Sequence, residues 1–411
     1  MSPSRTRTDE LEATRLQSAP RGLPNTPLHV AGIALTFVAV GMALCALVEA
    51  LSTNTDTAAL LVSAAVVGGV GGILWRVTRA GAVRTRDVFA AVGWTWLIVT
   101  LLGALPYILG GTFAAGGTDG VEQLVNAVFE SASGYSCTGS TALTQAGFDG
   151  AGRGLLMYRQ TTQWYGGMGI VVLAVAVLPF LGVGGLDLIT AEAPGPSSDR
   201  LTPRVSETAR RLWAIYVVFT LAVAAALFAV PGPSVYDSFA HALTTTSTGG
   251  FSPYGASIGH YDSVAVELVV MAGMLYGGAN FALHWRAVRG EWGAYRRDSE
   301  FRWYGFMVLS ATAIVVVVLW LDSGLGFGTS LRSGAFNVVA LGTSTGFGNA
   351  TGEGSPGDFV SWAPAAQMVI LMLMVSGAST GSTSGGIKVM RVQVLFGHTL
   401  RSIRRTQQPR A

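Results

Sequence analysis

Long apolar runs constrain the fold of this chain more than any other feature of its sequence. A helix that crosses the hydrocarbon core of a bilayer needs about 20 apolar residues. Charged residues make up only 12% of the 411-residue chain, and the runs are apolar on every face, unlike surface helices of soluble proteins. They predict an all-α polytopic membrane protein. The runs are residues 29–51, 57–77, 88–110, 158–183, 210–231, 263–286, 302–322 and 361–377.

Arginine-rich segments between the runs predict the orientation of the chain in the membrane. Basic residues in short loops favour the cytoplasmic side. We therefore expect the arginine-rich segments, namely the N-terminus and residues 74–87, 188–209 and 287–300, to be cytoplasmic. Residues 111–127 and 232–262, by contrast, contain no arginine. Successive arginine clusters are separated by two apolar runs, so the segments between the runs must enter the membrane and return without crossing it.

A Thr-Gly motif recurs between the runs. Phe129, Phe239 and Phe336 each stand ten residues before a glycine, in the pattern F-x6-[ST]-[CS]-T-G. Copies in register indicate an internal repeat, in which each unit is a span, a short helix, a turn and a second span. A helix of about ten residues is too short to cross a bilayer. The motif residues are Ser136, Cys137, Thr138 and Gly139, then Thr246, Ser247, Thr248 and Gly249, and finally Thr343, Ser344, Thr345 and Gly346.

The chemistry of these turns is that of a filter for monovalent cations. Carbonyl and hydroxyl oxygens replace the hydration shell of such an ion, whereas acidic rings are typical of other cation pores. No carboxylate lies within the three motifs, so we predict that the motif residues bind ions. The alternative is that they are close-packing surfaces between membrane helices. Glu130 and Asp237 nearby either concentrate cations or hydrogen-bond the turns, and we expect His241 to be a packing or hydrogen-bonding residue.

A further polar stretch, GASTGSTSGGIK, interrupts the last apolar run. Leu371, not phenylalanine, stands ten residues before Gly381, which follows Gly346 by only 381 − 346 = 35 residues. We therefore predict a gate loop within the second helix of the third unit and not a fourth motif. The stretch also fits G-x-S-x-G of hydrolases, but that motif follows a strand, so we expect no enzyme. The gate residues are Gly377, Ser379, Thr380, Gly381, Ser382, Thr383, Gly385, Gly386 and Lys388.

Several of these stretches occur in an order that resembles the pore subunit of Trk/Ktr-type bacterial potassium uptake systems, the TrkH family. They are FESASGYSCTGST, FAHALTTTSTGGFS, GGANFALHW and GSTSGGIKVMR. The resemblance implies potassium as the transported ion, no cofactor, a multi-pass protein of the bacterial inner membrane, a homodimer and no nucleic-acid partner. It also implies a cytoplasmic nucleotide-binding regulatory subunit. That subunit must be a separate polypeptide, because no G-x-G-x-x-G follows a strand here.

The same resemblance implies four helix–pore-loop–helix units after two extra helices. We expect only three of the four units here, and therefore an incomplete ring. Two alternatives stay open, namely a non-conducting subunit that needs a fourth unit in trans, and an ion-coupled secondary carrier. Coupling to protons or sodium stays open, as does the effect of Cys137, where many relatives have threonine. The predicted segments are a polar N-terminus at 1–26, the extra helices at 27–80, units at 81–195, 196–290 and 291–405, and a tail at 406–411.

Overall fold

The computed structural model describes residues 23–52, 55–79, 85–114, 119–177, 201–322 and 324–407. These residues are mainly helical, as the sequence predicts. One parallel pair of two-residue strands occurs among them, between β1 (Leu23–Pro24) and β2 (Thr78–Arg79). Predicted positions at 1–22 and 178–200 lie outside the described residues, and so does the tail after residue 407.

The first two helices form a close pair. Helix α1 is Thr26–Ala50 and helix α2 is Thr57–Val77. A Cβ on Gly32 would lie 2.9 Å from the carbonyl oxygen of Gly71, so the backbones approach as only small residues permit. Small residues at such contacts are the usual basis of helix packing in membranes, because no hydrophobic effect operates between helices there.

The first unit combines two long helices with three shorter ones. Its elements are α3 (Thr85–Gly103), α4 (Leu105–Leu109), α5 (Gly120–Tyr135), α6 (Gln145–Gly150) and α7 (Arg153–Val177). Helix α5 is short, and Asp119 caps its start by accepting from the amide of Glu122 at 2.8 Å. Helix α7 runs unbroken beside α1, α5 and the short helix of the second unit. It therefore serves as the common support of the first two units.

The second unit contains a sharp break that the sequence did not predict. Its elements are α8 (Leu201–Ala229), α9 (Val235–Thr246), α10 (Val264–Gly277) and α11 (Phe281–Val288). The predicted span at 263–286 is not one continuous helix, because α10 and α11 meet at an angle of 99°. Asn280 begins α11 by accepting from the amide of Ala282 at 2.9 Å. Local capping thus stabilises a new helix start inside an apolar run.

The third unit is also broken in its second helix. Its elements are α12 (Ala294–Arg297), α13 (Ser299–Asp322), α14 (Phe327–Gly342), α15 (Pro364–Ser376) and α16 (Val389–Gln407). With 13 residues, α15 is about 20 Å long at 1.5 Å per residue, which is too short to cross a bilayer alone. The polar stretch predicted as a gate separates α15 from α16.

Several described helices are long and apolar enough to cross a membrane. Among the described residues there are five such helices, or six when the bent pair counts as one span. The first buried cluster of apolar side chains joins α1, α2 and the first unit, and the second joins the second and third units. The chain is therefore a polytopic membrane protein whose short helices lie between its long ones. The long spans are α1, α2, 89–109, 207–229 and α13.

Candidate functional site

Three of the described short helices, α5, α9 and α14, end in the same hydrogen-bonded turn. The second residue after each helix is left-handed, and the amide of the third donates to a carbonyl five residues back, as in a Schellman motif. The left-handed residues are Cys137, Thr248 and Ser344, with φ of 55°, 50° and 54°. The amides of Thr138, Gly249 and Thr345 donate to the carbonyls of Ser133, Thr244 and Ala340 at 3.0, 2.9 and 2.8 Å. Each turn thus directs amides back to its helix.

This geometry corrects the alignment of the second motif by one residue. The glycines at positive φ are Gly139, Gly250 and Gly346, at 78°, 83° and 81°. Gly250 therefore takes the place predicted for Gly249, and Ser247 corresponds to Ser136 and Thr343. The phenylalanine pattern misled the alignment because it has no shared structural role. Phe129 and Phe239 are 45% and 43% exposed, whereas Phe336 is fully buried.

A buried polar side chain lies five residues before the last residue of each turn-forming helix. The residues are Glu130, His241 and Asn337, each at most 1% exposed. Each contacts the segment that returns from its own turn. Oε2 of Glu130 accepts from the amide of Ala142 at 2.9 Å. Nε2 of His241 is 3.1 Å from Oγ of Ser252, and Nδ2 of Asn337 donates to Oδ1 of Asn349 at 2.9 Å. Alignment of the three motifs did not reveal that these residues occupy equivalent positions, because their residue types differ.

The buried carboxylates near the turns have structural partners. Glu130 pairs with Arg159 of α7, whose Nε donates to Oε1 at 2.7 Å, and both side chains are at most 1% exposed. Arg159 also donates to the carbonyl of Ser252 at 3.0 Å. Asp237 caps α9 with Ser234 and accepts from the hydroxyl of Tyr254 at 2.8 Å. Both carboxylates therefore hold the return segments in place.

The turns contact one another through their backbones. A Cβ on Gly139 would collide with the carbonyl oxygen of Gly249, and one on Gly250 would collide with that of Thr345. The carbonyl of Thr345 also lies 3.7 Å from the Cβ position of Gly139. Because helix C-termini carry partial negative charge, three such ends in one place favour a cation.

Helix α7 holds the first two turns together. Sγ of Cys137 donates to the carbonyl of Gln163 at 3.1 Å. The side chain of Gln163 donates to the carbonyl of Gly249 at 2.7 Å and accepts from the amide of Phe251 at 3.0 Å. The thiol of Cys137 thus faces α7, and Gln163 fixes the second turn to the same helix. Sequence reasoning did not single out Gln163.

The polar stretch 377–388 lies against the second and third turns. Oγ1 of Thr383 donates to the carbonyl of Thr246 at 3.2 Å, and Thr248 donates to Thr383 at 3.1 Å. Oγ of Ser344 is 2.9 Å from that of Ser384. The predicted gate residues are therefore in contact with two of the three left-handed turn residues.

The same stretch also contacts the break between α10 and α11. The amide of Ser379 donates to the carbonyl of Gly278 at 3.0 Å, and the amide of Phe281 donates to that of Gly381 at 3.1 Å. The amide of Thr383 donates to the carbonyl of Gly277 at 3.3 Å. Two broken helices from different units are therefore joined by backbone hydrogen bonds. The sequence signal was the Gly-Gly-Ala-Asn interruption of an apolar run.

A buried carboxylate holds the two ends of the loop. Oε1 of Glu300 accepts from the amide of Thr380 at 2.6 Å and from that of Met390 at 3.2 Å. Nζ of Lys388 donates to the carbonyl of Ser384. The loop therefore contacts the second and third turns through hydroxyl groups and contacts the start of α13 through Glu300.

The described residues contain no group of three His, Cys, Asp or Glu side chains that could hold a metal ion. The site instead offers carbonyl and hydroxyl oxygens at the ends of helices. Non-helical backbone at membrane depth is tolerated only where it is buried in protein or lines a cavity. These features define a class, namely polytopic α-helical membrane proteins whose interior holds polar turns and broken helices.

Comparison with known proteins identifies the family. A family model for TrkH, described as a cation transport protein, matches residues 58–411. The TrkH potassium uptake protein of Halomonas elongata is 37% identical over 93% of this chain and 77% of its own length. That of Salmonella typhimurium is 38% identical over 83% of this chain and 68% of its own length. The chain belongs to the TrkH family of cation transport proteins, which are membrane transporters and not enzymes.

A solved structure agrees with this assignment. The crystal structure of the potassium transporter TrkH from Vibrio parahaemolyticus superimposes with a TM-score of 0.80 at 28% sequence identity. The match covers 94% of this chain and 77% of that protein. The similarity therefore extends over the helices and turns described above.

Proposed function

We propose that this protein takes up potassium ions across the plasma membrane along a path lined by the three turns. The observation that carries the proposal is the shared turn geometry, because each turn uses its amides on its own helix and brings its backbone against a neighbouring turn. Carbonyl and hydroxyl oxygens in this arrangement replace the water around a monovalent cation. Relatives named as potassium uptake proteins support potassium as the ion.

The ion-binding residues of this proposal are the predicted motif residues, with one addition. Gly250 joins the second turn, because it has the backbone conformation of Gly139 and Gly346. The side chain of Cys137 is excluded from ion contact because its thiol is bonded to α7. The transported ion is the ligand, and the pathway needs no further cofactor.

The loop 377–388 is the gate of this proposed pathway. It is polar, separates α15 from α16, and is bonded to the second and third turns through hydroxyl side chains. A homodimer and a separate cytoplasmic nucleotide-binding subunit belong to the same proposal, because the family resemblance implies them. The arginines near the α11–α13 segment support a cytoplasmic face there and, with it, a cytoplasmic N-terminus.

Potassium uptake by cells that lack their own potassium transporters tests the proposal. The chain is expressed alone, and also fused to the part of the Halomonas elongata relative that lies outside the match. We expect growth at low potassium and rubidium-86 uptake from at least one form, with the Gly250→Ala variant of that form losing preference over sodium. Uptake only from the fusion would support the expected need for a further unit. Uptake from neither form would contradict the proposal.

A further inference from the structure

The hydroxyl of Thr383 lies where three oxygen atoms of the second unit meet. Its Oγ1 is 3.2 Å from the carbonyl oxygens of both Thr246 and Gly277, and 3.1 Å from Oγ1 of Thr248. Thr246 is the last residue of α9, Thr248 is the left-handed turn residue, and Gly277 is the last residue of α10. One buried side chain therefore joins the gate loop to a helix end, a turn and a broken helix.

The carbonyl of Thr246 depends on this contact. The last carbonyls of a helix have no partner within the helix. Those of Leu243, Thr244 and Thr245 accept from amides of the turn, but that of Thr246 accepts only from Thr383 among the described residues. A buried carbonyl without a donor is costly. Loss of the Thr383 hydroxyl thus removes the partner of one helix end and one of two partners of the Thr248 hydroxyl, which keeps the carbonyl of Ser247 at 2.7 Å.

The loop and the α10–α11 break cannot separate without further losses. Backbone hydrogen bonds run from Ser379 to Gly278, from Thr383 to Gly277 and from Phe281 to Gly381. Among the described residues no hydrogen bond joins the first turn to the loop, and Cys137 of that turn is bonded to unbroken α7. Movement of the loop therefore disturbs residues 277–281 before it disturbs the first turn.

We propose that Thr383 is the latch of a two-part gate, which consists of loop 377–388 and the break at residues 277–281. The hydroxyl of Thr383 holds both parts against the second turn, and both leave together when the gate opens. This inference rests on the proposed function, because it assigns the closed state of the same pathway. Thr383 is a positioning residue here and makes no contact with the ion in the closed state.

Hydrogen–deuterium exchange of the purified full chain in lipid nanodiscs tests the latch without requiring transport. We expect Thr383→Val to accelerate exchange of amides in both 377–388 and 277–281 about tenfold. Thr383→Ser restores the hydroxyl and should restore protection. The matched control is Thr312→Val on α13, because the hydroxyl of Thr312 donates, among the described residues, only to the carbonyl of Val308 on its own helix. Unchanged exchange in Thr383→Val, or acceleration of 377–388 alone, overturns the two-part latch.

A second variant and a flux measurement make the test decisive. Thr248→Val removes the hydrogen bond between Thr248 and Thr383 from the side of the turn. It replaces Thr383→Val if rapid exchange throughout α13 shows that Thr383→Val is unfolded. In the form that transports, Thr383→Val should raise rubidium flux severalfold with an unchanged ratio of potassium to sodium. Faster exchange of the two segments in Thr383→Val, with no flux from any form of the protein, would support the latch and contradict the proposed transport. Flux from the native protein, with unchanged exchange in Thr383→Val, would support the proposed transport and contradict the latch.

Discussion

The first turn and the other two turns share a backbone conformation but differ in what lies behind them. Behind the first turn runs α7, an unbroken helix that bonds the thiol of Cys137 and carries Arg159, the partner of Glu130. Behind the second and third turns lies the loop 377–388, which bonds Thr248 and Ser344 through hydroxyl groups, and the second turn has a further contact with α7 through the neutral side chain of Gln163. The same turn conformation is thus supported in two ways. A charged, fully buried ion pair supports the first turn, which we call the first side, and neutral polar contacts support the second and third turns, which we call the second side.

The difference assigns separate tasks to the two sides. A buried ion pair with additional hydrogen bonds fixes one geometry, because any alternative leaves a charge without a partner. Neutral hydroxyl contacts contribute only about 1 kcal/mol each, so they can be exchanged for others at modest cost. The first side is therefore suited to hold a constant geometry, and the second is suited to move. Both broken helices belong to the second side, α10–α11 and α15–α16.

The largest expected effect comes from breaking the framework of the first side. Arg159→Met removes the partner of Glu130 and leaves a buried carboxylate unpaired, which costs about 3–5 kcal/mol. It also removes the contacts to Thr141 and Ser252. We expect a large loss of the free energy of unfolding and poor recovery of folded protein. The midpoint of thermal unfolding, followed by size-exclusion chromatography in detergent, measures it.

A surface ion pair is the matched control for this change. Arg286 and Glu291 form a pair of similar length, at 3.0 Å, but their side chains are 49% and 54% exposed. Arg286→Met should cost less than about 1 kcal/mol. Similar unfolding midpoints for the two variants would show that the buried pair does not hold the first side, and the comparison between the sides would fail.

A second prediction ranks the glycines of the three turns. Gly250→Ala and Gly139→Ala combine positive φ with a collision against a neighbouring backbone carbonyl, whereas Gly346→Ala meets no atom within 4 Å among the described residues. The third change should therefore cost only the left-handed conformation, about 1 kcal/mol, and the first two should cost more. We expect the potassium-to-sodium uptake ratio and the unfolding midpoint to fall most for Gly250 and Gly139.

The control for this ranking is Gly348→Ala, because Gly348 has no positive φ and no neighbour within 4 Å of its Cβ position. It should behave like the native protein in both measurements. Equal damage from Gly346→Ala and Gly250→Ala would mean that the turns are strained by their own conformation alone. In that case their mutual contacts would not determine the geometry.

The sequence was informative where a feature depends on local composition. The apolar runs predicted α1, α2 and α13 closely, and the polar residues of 377–388 predicted the break in the third unit. These features follow from chain length in a bilayer and from the cost of exposing polar backbone to lipid. Both constraints act on a segment by itself, so a single sequence reveals them.

Features that depend on distant contacts were not predictable in the same way. The stretch TTTSTGG can be aligned with the other two motifs in two ways. The structure distinguishes them, because Gly250 and not Gly249 has a positive φ. Gln163 of α7, which is distant in sequence, bonds to this turn. The break after Gly277 is satisfied by amides of Ser379 and Thr383, about 100 residues later. The position shared by Glu130, His241 and Asn337 has no common residue type. Only their burial and their bonds to the return segments relate them.

The smallest expected effect concerns Cys137, where the first turn differs chemically from the second. Its thiol donates to the carbonyl of Gln163 at 3.1 Å, and it has the same left-handed conformation as Thr248. Because Thr248 shows that threonine adopts this conformation in an equivalent turn, Cys137→Thr should cost less than about 1 kcal/mol and keep a donor towards α7. We expect an unchanged potassium-to-sodium uptake ratio. The control is Cys45→Ser, since Cys45 is buried on α1 and its thiol lies 3.6 Å from the hydroxyl of Thr161 on α7. A ratio that changes about threefold or more in Cys137→Thr alone would place this side chain on the ion path. The first side would then differ from the other two in selectivity as well as in support.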